Sequence, residues 1–188
     1  MPDDAAVPGA PRPASPGTPS SGTHSSATPS PAPRACVVTV STRAAAGVYA
    51  DRSGPALAAA VAALGFAVDG PVVVPDGEPV GEALRAALAA GYDLVVTTGG
   101  TGLAPGDDTP EQTVALLDRD LPGVPEAVRA AGVAAGVPSA MLSRGRAGLA
   151  GRTVVVNLPG SVRAVEQAMA AVGAALRHAV DQVAGADH

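Results

Sequence analysis

The stretch VVTTGGTGLAPGDDTPEQT, residues 95–113, runs from an apolar strand into Thr-Thr-Gly-Gly-Thr-Gly, then two adjacent aspartates, then Thr-Pro-Glu-Gln. In an open parallel sheet, ligands bind outside the carboxyl ends of the strands. Glycines placed there let the backbone come close to a ligand and adopt positive φ without a steric penalty. Their amides, with the hydroxyls of Thr97, Thr98 and Thr101, suit phosphate oxygens. The helix that follows adds a favourable dipole for an anion. Thr109 is expected at its N-cap, Pro110 at the first helical position, and Gln112 as the second half of a capping box.

The same alternation extends along the chain. ACVVTVS (35–41), FAVDGPVVV (66–74), DLVVTT (93–98) and TVVVNL (153–158) read as strands, the second interrupted at Gly70-Pro71. Continuous apolar runs of this length suit strands covered on both faces. Residues 53–65, 80–91 and 124–136 read as helices. The last helix, about 161–184, carries Val162, Val165, Met169, Val172, Leu176, Val180 and Val183 on one stripe. The expected fold class is α/β: a three-layer αβα sandwich around a mostly parallel, mixed sheet.

Residues 1–33 hold nine of the 19 prolines among Ser, Ala, Gly and Thr. A segment so poor in apolar surface cannot offset its ordering entropy, so it is expected to be a disordered tail ahead of a domain over 34–188.

Composition excludes several chemistries. The 12 basic residues are all Arg, against 17 acidic ones, for a net charge of −5. Without Lys there is no Walker A loop and no Schiff base. The acidic balance argues against a nucleic-acid surface. Cys36 is alone, in an apolar run where a small buried hydrophobe is expected, and His24, His178 and His188 are scattered. No zinc site and no disulfide follow from such a pattern. There is no apolar run near the ~20 residues of a membrane span and no secretory pattern, so a cytoplasmic protein is expected.

Carboxylates join the glycine loop. Asp107 and Asp108 follow it, and Asp76 follows a strand expected to end at the same edge. Beside a phosphate pocket they suit Mg²⁺, which takes one or two carboxylates plus phosphate oxygens. Asp76 with Gly77 also reads as a simple turn. The connection STRAAAGVYADRSG (41–54) is long enough for a pocket wall. LSRGRAG (142–148) offers Arg144 and Arg146 as an anion clamp, and NLPGS (157–161) ends a strand and opens the last helix.

The order S-x-R-x-x-x-G-V-Y-x-D-x-x-G, VPD, TTGGTG…D-x-TPE, LSRG-x-AG and NLPGS resembles the single-domain molybdopterin adenylyltransferases and the molybdopterin-binding G domain of gephyrin, over roughly residues 35–184. The resemblance implies molybdenum cofactor biosynthesis: ATP, with Mg²⁺, adenylylates molybdopterin and pyrophosphate leaves. It implies Asp107 and Asp76 as the essential pair acting through the metal. Substrate and nucleotide contacts are implied for Ser41, Thr98, Gly99, Gly100, Thr101, Gly102, Ser143, Arg144, Gly145, Gly148, Asn157, Pro159, Gly160 and Ser161. It further implies a homotrimer and a molybdenum insertase as partner. The chain departs from the family pattern at Thr42, usually Asp, at Gly106, usually Arg, and at Asp108, usually Val. The last two make the loop two charge units more negative. Two other readings stay open. One is a catalytically silent molybdopterin binder or carrier. The other is a nucleotide-pyrophosphate hydrolase of the competence-damage-related sibling group, which carries Asp-Asp after its loop.

Overall fold

The computed structural model describes residues 31–185; residues 1–30, nearly all of the expected tail, lie outside them. Strands β1 (Arg34–Val40), β2 (Ala67–Val74), β3 (Leu94–Thr98), β4 (Arg119–Asp120), β5 (Ala147–Ala150) and β6 (Thr153–Leu158) form one sheet in the order β2-β1-β3-β6-β5-β4. The first four in that order are parallel; on one edge β5 pairs antiparallel with β6, and β4 antiparallel with β5. The helices are α1 (Thr42–Ala45), α2 (Ser53–Ala62), α3 (Glu78–Ala89), α4 (Thr109–Val114), α5 (Gly123–Ala134) and α6 (Val162–Ala184). A 3-10 turn spans Pro138–Leu142. No helix among the described residues is long and apolar enough to cross a membrane.

The period of two along each strand divides the core between the sheet's faces. Ala35 and Val37 of β1, Leu94 and Val96 of β3, and Val154 and Val156 of β6 pack with Leu57, Val61, Val128 and the stripe of α6. Their neighbours Cys36, Val38, Val95 and Val155 pack on the other face with Val80, Leu84 and Ala87 of α3. Five large side chains of α6 are buried: Val165, Met169, Val172, Leu176 and Val180. Each contributes about 1.5–3 kcal/mol by leaving water. Val162 and Val183, expected on that stripe, are only half-buried, and Ala168 and Gly173 complete it instead. Cys36 is buried as expected, and burial is the main reason its thiol pKa is raised.

Two strands are absent from the sequence reading. β4 has two residues, and β5 is Ala-Gly-Leu-Ala, with almost no strand propensity. Both exist because β6 offers β5 an open edge to pair with. The opposite correction applies at Gly70-Pro71, a cis peptide: β2 runs through it, and only its register against β1 slips, from Cys36↔Asp69 to Val38↔Val72.

The amino ends of the strands are tied by one polar cluster. Asp69 Oδ2 accepts from the Tyr92 hydroxyl at 2.7 Å and from Arg34 Nη2 at 3.2 Å, while the Arg34 guanidinium lies 4.3 Å over the Tyr92 ring. The tyrosine bond first, and then Arg34, hold the Asp69 carboxyl below its usual range. A carboxyl whose pKa is lower when folded adds stability above its unfolded pKa and loses it as pH falls through the folded one. Asp69→Asn is therefore expected to flatten the acid side of a Tm-versus-pH curve below about pH 4. Because the cluster is exposed, the change is small near neutrality. A curve as steep as the parent's would remove Asp69 from the acid response.

Candidate active site

Strands β1, β2, β3 and β6 all end at one edge of the sheet, and β5 begins there. The chain leaves β1 towards β2 through α2 on one face, then returns across β1 to β3 through α3 on the other. The strand order thus reverses between β1 and β3, which opens a crevice at their carboxyl ends.

A cleft of about 850 Å³ occupies that crevice. Its walls include Ser41, Asp76, Gly99, Gly100, Asp107 and Gly160. Gly99 has φ +103, and a Cβ there would overlap the Val40 carbonyl oxygen, so β1 and β3 approach this closely only with glycine. At Gly100, φ is +62, and a Cβ would collide with Thr109 Oγ1 and lie 2.8 Å from Asp76 Oδ1. Asp76 is fixed from the first loop: its Oδ2 accepts from the Thr42 hydroxyl at 2.7 Å and the Thr42 amide at 3.2 Å. Asp107 closes its own turn, accepting at Oδ2 from the Ala104 amide at 3.0 Å while its amide donates to the Ala104 carbonyl. Each aspartate keeps Oδ1 free of hydrogen bonds among the described residues.

A second hollow of about 350 Å³ is lined by Thr101, Gly102, Ser143, Pro159, Gly160 and Ser161, with apolar walls from Val128, Val137, Ala140 and Leu142. Gly160 borders both spaces, and the glycine loop runs from one to the other.

A family profile described as a probable molybdopterin binding domain matches residues 36–178. The chain belongs to this molybdopterin-binding family. The molybdenum cofactor biosynthesis bifunctional protein of Synechococcus elongatus is 38% identical over 161 residues, covering 82% of this chain and 48% of that protein. The chain spans about half the length of the bifunctional relatives it matches. The molybdopterin adenylyltransferase of Helicobacter pylori is 36% identical over 156 residues, 79% of this chain and 86% of the relative. The solved structure of the molybdopterin biosynthesis Mog protein from Mycobacterium ulcerans aligns with a TM-score of 0.76 at 48% identity, over 81% of this chain and 99% of that one.

Against that molybdopterin-binding family background, the residues named from the sequence divide into three groups. Ser41, Asp76, Gly99, Gly100, Asp107 and Gly160 line the cleft; Thr101, Gly102, Ser143, Pro159, Ser161 and again Gly160 line the second hollow. The rest serve the framework. Thr98 is buried, its hydroxyl donating to the Pro159 carbonyl at 2.8 Å. Asn157 is buried and fully engaged: its Nδ2 donates to the hydroxyls of Thr97 and Thr113, and its Oδ1 accepts from the Arg146 amide. Gly145 lies against the Asn157 carbonyl, and Gly148 belongs to β5, where a Cβ would strike Leu117 and the Arg119 carbonyl.

Arg144 and Arg146, expected as an anion clamp, both lie outside the cleft and line a separate hollow with Arg129. Arg144 donates to the carbonyls of Gly102 and Asp107 and to the Glu111 carboxylate. Arg146 is exposed. The arginines of the cleft are Arg43 and Arg52, both from the long connection after β1, and neither pairs with a carboxylate among the described residues. Asp51 stands beside them. Its Oδ2 accepts from the Thr39 hydroxyl at 2.7 Å and its Oδ1 from the Gly54 amide at 3.0 Å, so it caps the start of α2. The length of that connection signals a wall; Arg43, Tyr49 and Asp51 stand in the quoted motif without an assigned role, and Arg52 falls at one of its unspecified positions.

Two corrections concern the helix after the glycine loop. Asp108, not Thr109, is the N-cap of α4, and Gln112 Nε2 donates to Asp108 Oδ2 at 2.8 Å instead of reaching back to a backbone amide. The additional negative charge of this loop therefore sits at a helix amino end, where the dipole favours it, and Asp108 is not among the cleft's walls. Thr109 is the first helical residue; its amide donates to the Gly100 carbonyl, and its buried hydroxyl has no partner among the described residues. Gly106 has φ +99, which a turn of this shape demands and an arginine would resist.

Proposed function

We propose that the protein transfers the adenylyl group of ATP to the terminal phosphate of molybdopterin, in molybdenum cofactor biosynthesis. The observation that carries this reading is the pair of adjoining spaces partitioned by the glycine loop, with Asp76 and Asp107 both in the larger one. The cleft, with Arg43, Arg52 and three aspartates among its walls, suits a nucleotide triphosphate; the smaller, more apolar hollow suits a pterin ring. The names of the H. pylori and M. ulcerans relatives point the same way.

In this reaction a phosphate oxygen of molybdopterin forms a bond to the α-phosphorus of ATP, and the bond to the bridging oxygen breaks to release pyrophosphate. The nucleophile is already an anion, so no general base is required; the site's task is alignment and charge neutralisation. Glycine-loop amides orient the phosphates, and Arg43 and Arg52 neutralise the leaving pyrophosphate. Asp76 and Asp107, each with one oxygen fixed by the protein and one available, fit the one or two carboxylates that Mg²⁺ takes beside phosphate oxygens. Bound there, the ion would withdraw charge from the triphosphate. The working form is a cytoplasmic homotrimer that passes its product to a molybdenum insertase.

The decisive experiment measures pyrophosphate release from Mg-ATP by the purified protein, with and without molybdopterin, with ADP-ribose as a second substrate. Release that requires molybdopterin is the expected result. Saturable molybdopterin binding without release would make the protein a carrier, and ADP-ribose hydrolysis without pterin would make it a pyrophosphate hydrolase.

A further inference from the structure

We propose that Arg144 is a positioning residue which holds the Asp107 turn in its working shape, and that it does not bind substrate phosphate. This rests on the reading of Asp107 as the carboxylate that serves the nucleotide.

The guanidinium is a rigid planar fork with five donors, and here three separate nitrogens are engaged. Nε donates to the Gly102 carbonyl at 2.8 Å, Nη2 to the Asp107 carbonyl, and Nη1 to the Glu111 carboxylate. The Arg144 amide donates to the Thr101 carbonyl at 2.9 Å. One residue thus clasps both ends of the 101–107 loop and the first turn of α4. The side chain is about one-third exposed, 35%, so its bonds are only partly shared with water.

That loop is otherwise weakly held. Between Gly102 and Asp107 its internal bonds are those joining Ala104 and Asp107, and Gly106 at φ +99 provides a pliable joint. Gly102 lets Asp107 Oδ2 come close; a Cβ there would sit 2.7 Å from it. Release of the two carbonyls would let the carboxylate swing on that joint. The same strap turns the fork towards backbone oxygens and Glu111, and Arg144 is absent from the walls of the cleft, lining instead the hollow it shares with Arg129 and Arg146. Lysine could reach one of these acceptors but lacks the fork to serve three in fixed geometry.

The test compares Arg144→Ala and Arg144→Lys with the parent protein by hydrogen exchange of residues 101–108 and by steady-state kinetics, with and without guanidinium ion at non-denaturing concentration. Faster exchange confined to 101–108 is expected in Arg144→Ala. A kcat lower by about 10- to 100-fold with little change in the KM for ATP is expected alongside it. Added guanidinium should partly restore both, and Arg144→Lys, which covers the case of an alanine variant that does not fold, should fall between. Unchanged exchange with a raised KM for ATP would overturn the proposal in favour of direct phosphate contact. If the parent releases no pyrophosphate, the adenylyltransferase reading fails, while the exchange data still decide whether Arg144 holds the loop.

Discussion

Asp107→Asn is expected to lower molybdopterin-dependent pyrophosphate release by about 100- to 1,000-fold, the usual cost of deleting one group that stabilises charge in the transition state. The substitution is close to isosteric. An amide oxygen can still accept from the Ala104 amide, as Oδ2 does at 3.0 Å, so the turn survives. What disappears is a negative charge facing the cleft, and with it one carboxylate of the pair suited to a divalent cation. The loss should deepen at limiting Mg²⁺ and ease as Mg²⁺ is raised. Asp107 is only half-buried and its turn bond is kept, so thermal stability should stay within about 0.5 kcal/mol of the parent. Near-parental turnover at limiting Mg²⁺ would refute an essential carboxylate at 107.

Gly99→Ala should have the largest effect on stability. Two penalties coincide: φ of +103 lies outside what an L-residue adopts comfortably, and the added methyl would overlap the Val40 carbonyl oxygen. Backbone strain of this kind alone costs on the order of 1–3 kcal/mol. Relief of the overlap requires β1 and β3 to part at the end where Thr39 stands beside Thr98 in the ladder. For a domain of this size, ~2–3 kcal/mol lowers Tm by roughly 4–12 °C. Gly123→Ala is the matched control, since Gly123 opens α5 without positive φ and has open space around its Cα. Its Tm should be unchanged or slightly raised, because alanine is the better helix former. Equal behaviour of the two variants would mean that the ends of β1 and β3 separate at little cost.

The layers of this fold were readable because burial on both faces leaves a plain signature. Val37, Val96 and Val154 are apolar for one core, and Cys36, Val95 and Val155 for the other, so the runs are continuous. Strand β5 left no such trace: Ala147, Gly148 and Ala150 are small, and only pairing with β6 makes them a strand. In the candidate site, local chemistry points to the glycine loop and Asp107 at the cleft, whereas Asp76 reads locally as a turn and is named through a resemblance. Assignment within the motifs was not legible. LSRG and NLPGS look equally polar along their length, yet Arg144 and Asn157 turn their donors inward to carbonyls and hydroxyls while Ser143 and Ser161 face the second hollow. That choice depends on which oxygens lie within about 3 Å after folding, and no spacing rule records it. Thr109 shows the same limit from the other side. Its hydroxyl looked like a helix cap, but the Gly100 carbonyl captures its amide and draws the helix start back by one residue.

The bond between Thr42 and Asp76 has a consequence for how the cleft meets its substrates. Two carboxylates facing each other there would repel until a cation arrived and would come into register only afterwards. A hydroxyl carries no charge, donates to Asp76, and in turn accepts from the Asp76 amide at 3.2 Å. The first loop and the turn after β2 are therefore latched together in advance, and binding need not spend free energy on assembling that wall.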